Sequence, residues 1–83
     1  MARRINATGT VVALTYPGYG QRPEVRVTVE SKAGVIDLIF QSRRNIRALD
    51  IGQNIAFAGA VVDVHGTPAI YNPKYHINKG EHD

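Results

Sequence analysis

Two adjacent segments constrain the fold more than anything else in this chain. Residues 24–31 place Val25, Val27 and Val29 on one side and Arg26, Thr28 and Glu30 on the other, the period-two pattern of a strand with one buried face. Lys32-Ala33-Gly34 then supplies a tight turn, and Ile36, Leu38 and Phe40 alternate with Val35, Asp37 and Ile39. The pair predicts a hairpin with one apolar face and a wetter face that carries Asp37. The chain has 83 residues and no cysteine, so no disulfide assists a core this small. The apolar face must be covered by the rest of a single closed domain. The lack of cysteine also excludes thiolate zinc sites, thiol catalysis and cysteine-linked haem, and it fits a reducing compartment.

The remaining punctuation is that of a β-rich domain. Residues 7–15 read as the first strand, with Gly9 where a bulge or a tight coil of the strand is eased by the missing side chain. Two prolines and two glycines within Tyr16–Pro23 predict a loop. Ser42 is placed to cap a short helix through Asn45, Ile46 and Leu49, ended at Asp50-Ile51-Gly52. Residues 54–64 read as the fourth strand, with Ile55, Phe57 and Val61 pointing one way and a sharp bend at Gly59. A turn over 63–68 leads into a last strand around Ala69-Ile70-Tyr71. Asn72-Pro73 interrupts that strand and Lys74–Ile77 finishes it.

The expected fold is all-β: five strands closing into a Greek-key barrel, with one short helix between strands 3 and 4. That order matches the OB-fold, whose ligand contacts come from strands 2–3 and the loops after strands 1 and 4. An SH3-like barrel, which needs no such helix, is the alternative. The domain is expected over 1–77, with residues 1–6 as a basic arm and 78–83 as a solvated tail.

Several segments resemble a known family. They are Gly9-Thr10-Val11, residues 33–40, Ile51-Gly52, Phe57-Ala58-Gly59-Ala60-Val61 and Ile70-Tyr71-Asn72-Pro73-Lys74-Tyr75. Together they look like the bacterial OB-fold nucleic-acid-binding domain, as in the wedge domain of RecG-type helicases and in small stand-alone OB proteins. The likeness spans about residues 5–77 and implies a binding module for single-stranded nucleic acid, DNA before RNA. The chain has no Gly-x-x-x-x-Gly-Lys phosphate loop, so no motor activity carries over.

Charge points the same way. The net charge is +3, and residues 1–47 hold eight basic and three acidic side chains against two and four in residues 48–83, an asymmetry that favours a polyanion partner. Single strands are held by cations along the backbone and by aromatic faces under the bases. The candidates are therefore Arg22, Arg26 and Thr28 on strand 2 and the loop before it, with Tyr16 and Tyr19 in that loop. Arg43, Arg44 and Arg47 stand at the helix entrance, and Tyr71 and Lys74 on the last strand. Arg3 and Arg4 add charge to the N-terminal arm. Phe40, Phe57 and Tyr75 are assigned to the core.

No enzyme is expected, because the acidic residues are scattered and form no arrangement with a histidine and a nucleophilic serine. His65, His76 and His82 lack the spacing of a metal site, and no cofactor is expected. No run of apolar residues approaches a membrane span, and Ile5-Asn6-Ala7-Thr8 does not make a signal core. The expected location is the cytoplasm. The competing function is a protein-interaction adaptor on the same barrel, meeting a partner of DNA metabolism or a second copy through Tyr16, Tyr19 and an exposed Val35–Ile39 edge.

Overall fold

In the computed structural model, which describes residues 3–18, 20, 22–41 and 49–78, six strands follow one another. They are β1 (Arg3–Thr15), β2 (Glu24–Ser31), β3 (Gly34–Gln41), β4 (Asn54–Val64), β5 (Thr67–Tyr71) and β6 (Lys74–Ile77). The hairpin forms in the register its alternation demands, with Val25 opposite Phe40, Val27 opposite Leu38 and Val29 opposite Ile36. All six of these side chains are buried, and burying an aliphatic or aromatic side chain of this size contributes about 1.5–3 kcal/mol each.

The other pairings bend this hairpin into a ring. β1 lies antiparallel to β2, and β3 runs parallel to β5. β5 is antiparallel to β4, and β4 returns antiparallel to β1. The sheet thus closes as β1-β2-β3-β5-β4-β1, with β6 continuing the line of β5 along β4. Inside it, Val11, the hairpin valines, Leu38, Phe40, Ile55, Phe57 and Ile70 form one apolar cluster. Leu49 joins that cluster from the connection before β4. Tyr75 packs edge-on against Phe40, with ring centroids 5.3 Å apart.

Ring closure depends on β1 serving two ladders. Residues 3–10 pair with β4 and residues 9–15 with β2, so Gly9 faces Ser31 on one side and Ile55 on the other. A Cβ at Gly9 would lie 2.7 Å from the carbonyl oxygen of Glu30 and collide with the Val29 side chain, which is why glycine stands at this crossing. Gly59 has the same function on β4, where a Cβ would come within 2.5 Å of Ile70 Cγ2.

Several expectations are corrected. Of the two readings of Gly9, the bulge falls instead at Val12, which the register skips between Val11 and Ala13, whereas Gly9 stands where the strand passes from one ladder to the other. β1 begins at Arg3, so Arg3 and Arg4 are held in the ladder opposite Val61 and Ala60 and their side chains project from a strand. The last strand is two strands, because Asn72 takes φ 51° and Pro73 has no N–H to give. The expected helix over 42–49 lies outside the described residues except at its last residue, Leu49, which is not helical. Among the described residues there is no helix, and hence none long and apolar enough to cross a membrane.

Candidate functional site

Registers across the ring line up four outward-facing residues in one row: Thr15 on β1, Arg26 on β2, Ile39 on β3 and Tyr71 on β5. Strand spacing puts the Arg26 and Tyr71 backbones about 10 Å apart. At the β1 end of the row, Thr15, Tyr16, Pro17, Arg22, Glu24 and Arg26 enclose an open groove of about 330 Å³. Three residues singled out from the sequence thus share one groove. Tyr16 is 47% exposed above it, and Tyr71 is 41% exposed at the far end of the row.

The floor between them is not the wet surface that alternation predicts. Ile39 is only 1% exposed although it faces away from the ring interior, whereas Val35 is 45% exposed. The outward face of β3 is therefore not a continuous apolar edge, and the expected Val35–Ile39 contact surface is corrected to Val35 alone. Ile39 stands between Arg26 and Tyr71 in the row, a position whose burial depends on non-local neighbours.

The groove is electrostatically mixed. Thr28 Oγ1 donates to Asp37 Oδ1 at 2.8 Å, and Asp37 Oδ2 stands 3.9 Å from the guanidinium of Arg26. Glu24 lines the same groove as Arg22. Two cations are thus set against two carboxylates, and Thr28 is engaged with Asp37 rather than directed only to solvent.

Tyr71 is held by the kink that comes after it. The Asn72 N–H donates to the Ile39 carbonyl at 2.7 Å. The Gln41 N–H donates to Asn72 Oδ1 at 3.0 Å, and Asn72 Nδ2 donates to Gln41 Oε1 at 3.2 Å. These bonds tie the end of β5 to the end of β3 and stabilise the left-handed backbone that asparagine tolerates better than most residues.

Lys74 belongs to a different groove. On the far side of β5 the outward residues of β1, β4 and β6 form a trough of about 510 Å³. Asn6 and Thr8 form one wall, Ala56 and Ala58 the floor, and Lys74 and His76 the other wall. Sequence reasoning found Lys74 but missed Asn6, Thr8 and His76. The available signal was the alanine at every outward position from 56 to 60, since a strand with no side chain beyond Cβ on one face leaves a channel between its neighbours. Tyr19, Arg43, Arg44 and Arg47 lie outside the described residues, as does His82. His65 stands in the β4–β5 turn at φ 52°, and among the described residues no three potential metal ligands gather. Comparison of the sequence with protein-family models and with curated proteins finds no match.

Proposed function

We propose that this chain is an OB-fold Greek-key barrel that binds single-stranded nucleic acid, with DNA as the first expectation and RNA as the second, and without catalysis. The observation that carries it is the convergence of Tyr16, Arg22 and Arg26 on one groove beside strand β2. Support for the fold comes from the ring order and from the parallel β3–β5 closure, the arrangement in which the β2–β3 face is the ligand face. Arg22 and Arg26 engage phosphate oxygens, and Tyr16 and Tyr71 offer ring faces to the bases at the two ends of the row. Stacking is worth about 1–3 kcal/mol per base and tolerates any sequence, so little sequence preference is expected. The adaptor alternative loses one of its contact residues, because Ile39 is buried. A cytoplasmic, bacterial setting belongs to the same proposal.

The test is a fluorescence-anisotropy titration with labelled oligo-dT, oligo-U and a duplex, repeated at three salt concentrations. The expected result is tighter binding of single strands than of duplex, with log K falling by about 0.7 per engaged phosphate for each unit of log salt. No binding at low salt overturns the proposal, and a mass that rises with concentration then favours the adaptor.

A further inference from the structure

We propose that the trough between β1 and β6 is a second phosphate track, which takes the backbone of the same single strand after it has passed Tyr71. This rests on the nucleic-acid reading above and extends it to a surface on the other side of β5.

Charge separates the two grooves. The first sets Arg22 and Arg26 against Glu24 and Asp37. None of the nine described residues lining the trough is acidic, and Lys74 and His76 form one wall. Arg4, exposed on β1 opposite Ala60, adds a cation at the end of the row of outward alanines. The trough thus carries net positive charge where the charges of the first groove largely cancel, while the stacking rings Tyr16 and Tyr71 stand along the first groove's row.

Shape and donors fit a sugar-phosphate backbone. The side-chain rows of β1 and β6 flank β4 and stand about 10 Å apart, and the alanines between them leave the floor open. The Asn6 amide, the Thr8 hydroxyl and the Lys74 ammonium are donors of the kinds that commonly engage phosphate oxygens. The outward side chains of the floor are Ala56 and Ala58, so no large apolar side chain projects from it. Continuity comes from the chain itself: Lys74 lies three residues after Tyr71, a span of at most about 11 Å, and Pro73 between them is buried. A strand leaving Tyr71 meets Lys74 next.

Oligonucleotide length tests this. Oligo-dT of about 4 and about 12 nucleotides, within the range of site sizes on such domains, is titrated against the unaltered chain and three variants. These are Lys74→Ala, Arg4→Ala/Lys74→Ala, and Lys32→Ala as a charge control on the exposed β2–β3 turn. For the longer oligonucleotide each trough cation removed should lower the salt slope by about 0.7 and the affinity about fivefold at about 0.1 M salt. The short one should lose less, and Lys32→Ala should move neither slope. If both lengths bind but Lys74→Ala changes the long one no more than Lys32→Ala does, the second track is wrong and the first groove stands. Equal losses at both lengths also overturn it, since Lys74 would then belong to the first groove. Displacement of the long oligonucleotide by poly-glutamate at matched charge would make the trough a site for acidic protein segments instead. If neither oligonucleotide binds at any salt, both proposals fall together.

Discussion

Asp37 neutralises part of the charge that Arg26 offers, so removing that carboxylate should strengthen the proposed interface while weakening the fold slightly. Asp37→Asn keeps an oxygen that accepts from the Thr28 hydroxyl, which stands 2.8 Å from Asp37 Oδ1, and deletes the negative charge 3.9 Å from Arg26. The Arg26 side chain is 45% exposed, and pairs with an exposed partner contribute about 0.2–1 kcal/mol. The melting temperature should therefore fall by no more than about 4–8 °C, the shift that about 1 kcal/mol produces in a domain this size. Binding should move in the opposite direction. With Asp37 no longer sharing the Arg26 charge with the phosphate it engages, the salt slope should steepen by up to about 0.7 and affinity for oligo-dT rise by up to about fivefold at about 0.1 M salt. Anisotropy titrations over a salt series read both quantities, and the gain should vanish when Arg26→Ala is combined with Asp37→Asn. An unchanged slope, or weaker binding by a variant that still melts normally, would refute the reasoning. Asp37 would then be orienting Arg26 rather than competing for it, or Arg26 would touch no phosphate.

Tyr16→Ala and Tyr71→Ala should each weaken single-strand binding by about 1–3 kcal/mol while leaving the salt slope unchanged, because stacking releases no counterions; a changed slope in the same titrations would count against stacking. Gly59→Ala should cost about 1–3 kcal/mol by overpacking against Ile70, measured by urea denaturation. Ile70→Leu in the same chain should recover part of it, because leucine lacks the β-branch whose Cγ2 stands 2.5 Å from the added Cβ. Asn72→Gly should be less destabilising than Asn72→Ala in thermal melts, since both lose the side-chain bonds to Gln41 but only glycine keeps φ 51° without strain.

Local periodicity decides the part of the structure that was legible in the sequence. Val25, Val27 and Val29 and the facing Ile36, Leu38 and Phe40 are buried as their alternation predicts, because a one-residue slip would turn every one of them outward. Phe57 and Ile55 obey the same rule on β4, and the interruption at Asn72-Pro73 was readable from proline chemistry. Less legible were features set by distant partners. Arg3–Asn6 has no strand pattern of its own and becomes a strand because β4 lies alongside. Ile39 has the spacing of an exposed residue, and its burial cannot be read from a rule that knows only i and i+2. Tyr16, Arg22 and Arg26 were found together because their loop and strand are contiguous in sequence. The separation of Lys74 from them depends on the ring order, in which β5 and its kink intervene.

The double pairing of β1 also joins segments at very different distances along the chain. The β2–β3 hairpin joins residues close in sequence and forms with little loss of chain entropy. Arg3 meets Val61 and Thr10 meets Asn54, so half of β1 has no partner until the chain has been synthesised past β4. During that interval an extended segment with an open edge is exposed. The two arginines at its start restrain it, since their like charges oppose edge-to-edge pairing between copies. Arg3 and Arg4 thus place like charges at the start of the strand whose β4 partner comes latest in the chain, where they would disfavour pairing between copies.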